Sequence, residues 1–325
     1  MNVSLRLEDW ALITPFRISG QEWTTTPTLM LELERDGFVG RGEAQGIFFL
    51  GETAESIFEQ AESIVDTLRA GITREDLLQL LPPGGARNAI DCALWDLECK
   101  SSGRTIWELT GIQQKPVRTV FTIGLEPQPE DMAAKAAEAS SESLLKIKLS
   151  DDRPYERLAA IRAARPDAEL IVDANEGWTV ELLRDIVPGC VELGVRLIEQ
   201  PLPRNADQEL EFFESEIALA ADESLLDVSD LDSVLSGYDV MNIKLDKCGG
   251  LTAALALAEA ALAAGAKLMV GNMAGTSLAM APSLVIAQLC EYVDLDGPLL
   301  LKYDRANGLR YHRGEIRGLD PSLWG

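Results

Sequence analysis

The sequence predicts a parallel (β/α) barrel preceded by a compact α+β unit, and three observations carry that reading. Strand and helix patterns alternate from 117 to 298 with eight strand candidates, and no Gly-x-Gly-x-x-Gly follows an early strand to favour an open doubly wound sheet. Ionisable residues close successive strands: counted from Lys148, the steps to Asp173, Glu199, Asp222 and Lys244 are 25, 26, 23 and 22 residues, each the length of one strand, one helix and two short loops. Residues 1–116 show instead a sheet followed by helices. In a parallel barrel those charged strand ends gather on one rim, where such barrels keep their active sites.

The elements follow in order. Residues 28–34 alternate apolar and polar side chains, and the turn Arg35-Asp36-Gly37 before Phe38-Val39-Gly40 closes a β-hairpin. Apolar residues recur at three- and four-residue steps over 56–68 and 74–81, and 86–99 places Ala89, Ile90, Ala93, Leu94 and Leu97 on one helix face. Barrel strands are read at 118–124, 144–149, 169–173, 196–199, 217–221, 239–245, 267–271 and 292–296. Between them, 133–139, 155–164, 180–186, 229–235 and 252–264 read as helices, the last rich in Ala and Leu. The barrel thus occupies 117–298, and a tail, 299–325, should return to the first domain because the barrel is complete before it.

At 325 residues, 46% of them hydrophobic, the chain can bury a core without staples. Its five cysteines, Cys92, Cys99, Cys190, Cys248 and Cys290, are scattered without zinc-type spacing and read as buried reduced thiols. No apolar signal core opens the chain and no run of about 18 apolar residues occurs, so no membrane partner is expected and the cytoplasm is the expected compartment. A formal net charge of −24 with no basic cluster argues against nucleic acid as a partner.

Asp173, Glu199 and Asp222, on three consecutive strand ends, form an all-oxygen donor set suited to a hard cation such as Mg²⁺. One such acid is more often a helix cap; three in succession between lysine-bearing strands favour the metal. Lys146 and Lys148 share strand parity, so both face the cavity, and two ammonium groups held close should depress each other's pKa toward that of a usable base. Lys244 arises four strands later, across an eight-stranded ring from them. Opposed lysines beside a metal suit abstraction of a proton next to a carboxylate, with the cation taking up charge as the ene-diolate forms. Return of a proton by the second lysine to the other face inverts configuration. A histidine base is set aside, because the single histidine, His312, lies in the tail.

Lys-Ile-Lys (146–148), Asp-Ala-Asn-Glu-Gly-Trp (173–178), Glu-Gln-Pro (199–201), Ala-Asp-Glu-Ser (221–224) and Asn-Ile-Lys-Leu-Asp-Lys-Cys-Gly-Gly (242–250) together resemble the muconate lactonizing subgroup of the enolase superfamily. The likeness spans nearly the whole chain and includes the helix at 86–97. It implies a capping α+β domain over a modified TIM barrel of (β/α)7β form, with cap loops that close the site and set specificity. It also implies Lys148 and Lys244 as the catalytic pair, Mg²⁺ on Asp173, Glu199 and Asp222, and Lys146, Asn175, Glu223 and Asp246 as supporting residues that orient the lysines or the substrate carboxylate.

The same lysine pair serves epimerases, N-succinylamino acid racemases, o-succinylbenzoate synthases and muconate cycloisomerases. Asp294-Leu295-Asp296, followed by Gly-Pro at the eighth strand, resembles the Asp-x-Asp element of dipeptide epimerases, whose two carboxylates would hold the free ammonium of a dipeptide. In a similar glutamate-using member of that group an arginine of the first mobile cap loop is taken to bind the glutamate side chain; here Trp23, between Glu22 and Thr24, stands at the matching place. With Phe48 of the second cap loop and Met273, it implies an apolar pocket and a hydrophobic C-terminal residue, since an anionic side chain would be desolvated without a partner. Glu22 leaves a cationic side chain open. An N-succinylamino acid racemase, an o-succinylbenzoate synthase and a non-catalytic dipeptide-binding protein remain the alternatives, and a homo-oligomer is compatible with the resemblance.

Overall fold

The computed structural model describes residues 1–325. Its N-terminal sheet is an antiparallel meander of β1 (Asn2–Ile18), β2 (Gln21–Arg35) and β3 (Phe38–Ala44). Asp36 and Gly37 make the expected β2–β3 turn with φ of 56° and 83°, the left-handed pair that matches strand twist. Strand β1 was not anticipated although Val3, Leu5 and Leu7 alternate; it lies at the sheet edge, is largely exposed, and pairs with β2 from Asn2↔Glu34 to Ile18↔Gln21.

One face of β2, carrying Leu29, Leu31 and Leu33, packs on the cap helices, while Met30 on the other face joins the barrel core. The helices are α1 (Ala54–Ser63), α2 (Val65–Ala70), α3 (Arg74–Leu80), α4 (Gly85–Ser102) and α5 (Ile106–Thr110). The continuous helix expected at 56–68 is broken at Ile64 (φ −112°, ψ 11°), a bend after which Leu68 is still buried in the cap core. Gly40 and Gly42 admit α4 against β3, since a Cβ at either would run into the main chain of Ala93 or Ala89. Helix α4 is buried nearly all round: its Ala89, Ile90 and Ala93 face the cap core, while Arg87, Asn88 and Asp91 are buried toward the barrel.

A short strand β4 (Val117–Arg118) precedes the barrel. The barrel then runs β5 (Phe121–Ile123), α6 (Pro129–Glu138), β6 (Leu144–Lys148), α7 (Pro154–Ala164), β7 (Glu169–Asp173), α8 (Val180–Glu192), β8 (Val195–Glu199), β9 (Ala218–Ala221), α9 (Leu231–Val234), β10 (Val240–Ile243), α10 (Leu245–Cys248), α11 (Leu251–Ala263), β11 (Lys267–Val270), α12 (Ser277–Ala287) and β12 (Tyr292–Val293). Strands β5 to β12 pair in sequence order, and Val120 N–H to the Val293 carbonyl (2.9 Å) joins first to last. The β8–β9 connection carries only a 3-10 turn, Asp207–Leu210. Helix α12 was missed because its run is apolar on all faces and contains Pro282, which hides the helical period.

Inside the ring, Val120, Leu144, Ile171, Leu197, Ala220, Val240 and Met269 form an apolar layer. Two residues further along the strands, on the same inward parity, stand Thr122, Lys146, Asp173, Glu199, Asp222 and Asn242, so the floor of the site is hydrophobic and its next layer polar, with four of these six side chains ionisable. The tail pairs β13 (Tyr311–His312) with β14 (Glu315–Ile316) and β14 with β4, then reaches the cap, where Trp324 Nε1 donates to the Cys92 carbonyl (2.9 Å) and Gly325 N to Asp96 (2.8 Å). All five cysteines are unpaired, and no helix is long and apolar enough to cross a membrane.

Candidate active site

The rim where the strands end carries a cavity of about 400 Å³ between barrel and cap. Lys148, Asn175, Glu223, Lys244, Asp294 and Asp296 line it from the barrel; Met273 lines it from the loop after β11, and Trp23 and Phe48 from the cap. Asp173, Glu199 and Asp222 lie beneath, fully buried.

Lys148 Nζ lies 2.7 Å from Asp173 Oδ2, and Lys244 Nζ lies 2.6 Å from Asp222 Oδ2. Lys146 does not reach the cavity; it binds Asp173 (3.0 Å), Glu199 (2.8 Å) and Asp294 (2.7 Å). Lys247 clamps Asp222 from behind through Oδ1 (2.6 Å) and the main-chain carbonyl (2.5 Å). Gly271 leaves room for Lys244, because a Cβ there would stand 2.9 Å from its Cε. Asn175, Glu176, Gln200 and Ala274 all have positive φ, a concentration of backbone strain at the rim of the kind that marks functional sites.

The depression expected of Lys146 is corrected. Burial acts to lower the Lys146 pKa, but the carboxylates of Asp173, Asp294 and Glu199 outweigh it and hold the ammonium well above its ordinary value. Lys244 is likewise raised, Asp222 outweighing burial. The two acids respond in kind: burial would raise Asp173 and Asp222, yet the lysines hold both below the usual carboxylate range.

Six buried carboxyls (Asp173, Glu199, Asp222, Glu223, Asp294, Asp296) face four buried ammoniums (Lys146, Lys148, Lys244, Lys247), an excess of two negative charges if all ionise. Burial, reinforced by neighbouring carboxylates, pushes Glu199 up to about 7 and Glu223 up to about 8. Glu199 Oε2 has no donor in line despite Lys146 at 2.8 Å, and Glu223 Oε2 is also buried without a partner. The charge excess, the orphaned oxygens and the all-oxygen donor set fit one hard divalent cation held by Asp173, Glu199 and Asp222. In this arrangement the acids are turned onto the lysines, and no three of them converge as a formed metal cage.

Asp294 and Asp296 both line the cavity but are unequally free. Asp294 is engaged by Lys146 and by Asn272 Nδ2 (3.2 Å), whereas Asp296 accepts only Thr122 N–H (2.6 Å). Burial and then the Asp294 charge push the Asp296 carboxyl up to about 7. A carboxyl raised on folding contributes stability that is full below its unfolded pKa and lost as pH rises through the folded one. Without added cation, the thermal midpoint should therefore fall from about pH 5 to about pH 8, with Glu199 and Glu223 acting in the same direction, and Asp296→Asn should flatten part of that fall in scanning fluorimetry.

Of the supporting residues, Asn175 holds Glu223 (3.2 Å) and its N–H caps Asp173 (2.9 Å). Asp246 touches neither lysine and does not line the cavity; its Oδ1 accepts hydrogen bonds from the cap. Sequence reasoning passed over Thr122, Lys247 and Asn272. Thr122 sits on inward parity above Val120, Lys247 lies within the motif at 242–250, and Asn272 directly follows a strand read to end at 271, so each had a signal.

Residues 1–111 match the model of the mandelate racemase / muconate lactonizing enzyme N-terminal domain family, and residues 130–317 that of the enolase C-terminal domain-like family. An L-Ala-D/L-Glu epimerase of Escherichia coli (strain K12) is 41% identical over 312 residues, 95% of this chain and 97% of that protein. The crystal structure of an enolase family member from Agrobacterium tumefaciens with homology to dipeptide epimerases, holding sodium and L-Ala-L-Glu, is 42% identical with a TM-score of 0.96, covering 99% of each chain. A dipeptide epimerase from Enterococcus faecalis V583 complexed with Mg and L-Leu-L-Tyr is 28% identical with a TM-score of 0.91, covering 99% of this chain and 98% of that one. A capped barrel with a charged strand-end rim is thus an enzyme of the racemase and epimerase type. The chain belongs to the enolase superfamily, in its mandelate racemase / muconate lactonizing group.

Proposed function

We propose that the protein is a Mg²⁺-dependent dipeptide epimerase that inverts the α-carbon of the C-terminal residue of L-Ala-Xaa-type dipeptides by 1,1-proton transfer, with a hydrophobic Xaa. One observation carries this reading: Lys148, on β6, and Lys244, at the end of β10 four strands away, enter the same cavity as Asp294 and Asp296. An α-carbon lodged between the amines would lose its proton to one lysine and regain one from the other on the opposite face. Asp296, with Asp294 beside it, would hold the free ammonium of the N-terminal residue and so fix which carbon lies between the lysines. A divalent cation on Asp173, Glu199 and Asp222 would supply positive charge to the substrate carboxylate as the α-proton leaves.

The side-chain preference rests on the cap. Trp23 meets Phe48 edge-on (5.1 Å between centroids, 70°), and Phe48 meets Phe49 in the same way (5.5 Å, 89°), which makes an aromatic mouth. Lys148 and Lys244 are the only cations lining the cavity, while Arg17 is spent on Glu22 and Glu126 outside it. A glutamate side chain would therefore lose hydration without gaining a counter-charge. Across L-Ala-L-Xaa dipeptides, kcat/KM should be at least about tenfold higher for leucine or phenylalanine than for glutamate, and Trp23→Arg should narrow or reverse that ratio. A preference of the unsubstituted enzyme for L-Ala-L-Glu, the dipeptide held by the Agrobacterium relative, would overturn the specificity while leaving the reaction standing. Racemisation of N-acylated amino acids, the competing use of the same lysines, needs no ammonium site, so it would survive Asp296→Asn.

A further inference from the structure

We propose that Asp246 is a positioning residue for Lys244, through which the cap sets the placement of one of the two bases; this rests on the epimerase reading above. Lys244 opens a single tight turn: its carbonyl accepts from Lys247 N (3.0 Å) and Cys248 N (3.1 Å), so the segment from Lys244 to Gly249 is tied together by its own main-chain hydrogen bonds. The cap grips that unit at both ends. Asp246 Oδ1 accepts from Gln45 N (3.1 Å), at the root of the loop that carries Phe48 and Phe49, and from Asn88 Nδ2 (3.0 Å) on α4. One residue earlier on α4, Arg87 donates to the carbonyls of Cys248 (2.6 Å) and Gly249 (3.2 Å). One turn further along the helix, Asp91 accepts from Thr252 N (2.9 Å) and Oγ1 (2.6 Å).

The fit leaves no slack. Gly249 and Gly250 have φ of 77° and 113°, and a Cβ on either would strike Arg87 or Asp91. Arg87, Asn88, Asp91 and Asp246 are all buried, so each lost hydrogen bond would leave a polar group without water to replace its partner.

The opposite wall is built differently. The residues that follow Lys148 bond only within the barrel: Leu149 N donates to the Asp173 carbonyl (3.0 Å), and the Ser150 carbonyl accepts from Trp178 Nε1 (3.0 Å). Lys148 is therefore placed by the barrel alone, and Lys244 by barrel and cap together. Loosening the Asp246 contact should displace one base and not the other, a signature that general loss of stability does not produce.

The test measures deuterium exchange at the α-carbon of L-Ala-L-Leu and of L-Ala-D-Leu separately, in D₂O with Mg²⁺. Lys244→Ala identifies the epimer whose proton Lys244 removes. In Asp246→Leu, exchange of that epimer should fall about tenfold or more relative to the other, since sub-ångström misplacement of a base is costly. Asp246→Asn, which keeps the accepting oxygen, should restore the ratio. Asn88→Ala, which leaves Gln45 N on Asp246, should shift the ratio in the same direction to a lesser degree, and it serves if Asp246→Leu does not fold. Equal losses for both epimers, or an unchanged ratio, would overturn the positioning role. No exchange by the unsubstituted enzyme would instead overturn the epimerase reading, and the positioning role with it.

Discussion

Lys244→Ala should abolish epimerisation while sparing half of the exchange chemistry. Inversion needs a proton removed on one face and delivered on the other, so loss of either amine should lower turnover by about 10²- to 10⁴-fold, the usual contribution of a placed acid or base. The epimer that presents its proton to Lys148 should still exchange that proton with solvent, because Lys148 lies four strands away, paired with Asp173 rather than with Lys244. Lys148→Ala should give the mirror result. Polarimetry reads the inversion and proton NMR in D₂O reads the exchange; equal loss of exchange from both epimers in Lys244→Ala would show that the lysines do not divide the two faces.

Asp222→Ala should cost stability and activity together. Asp222 is the sole carboxylate paired with Lys244 (2.6 Å) and with Lys247 (2.6 Å), all three side chains being nearly or fully buried. Removing one member of a buried pair leaves an uncompensated charge, on the order of 3–5 kcal/mol. Lys247 keeps the carbonyls of Asp222 and Asn242, which offsets part of that loss. The thermal midpoint should drop by several degrees, and added Mg²⁺, which should raise the midpoint of the unsubstituted protein, should no longer do so. A variant of unchanged stability with an intact Mg²⁺ shift would remove Asp222 from both the ion-pair network and the proposed cation site.

Much of this was legible in the sequence because a barrel strand has a period of two and a fixed direction. Once 144–149, 169–173, 196–199 and 217–221 were read as parallel strands, parity alone placed Lys146, Lys148, Asp173 and Glu199 on the inward side, and repeat length placed them on one rim. Partner choice was not legible. Two lysines of the same parity suggested mutual repulsion, whereas the folded chain surrounds Lys146 with carboxylates from β7, β8 and the end of β12. The cap contacts of Asp246 were hidden for the same reason. Its partners, Gln45 and Asn88, are 201 and 158 residues away, and nothing local marks which buried acid meets which distant donor. Edge strand β1 and the uniformly apolar α12 show the two opposite ways in which periodicity fails, through too little burial and too much.

The two-base claim is tested most directly by incubating the Mg²⁺-loaded enzyme with L-Ala-L-Leu in D₂O and following the leucine α-proton by NMR. The expected result is loss of that signal together with the appearance of L-Ala-D-Leu carrying deuterium at the same carbon. Retention of the proton in every dipeptide tried, by a protein shown to bind the cation, would contradict it.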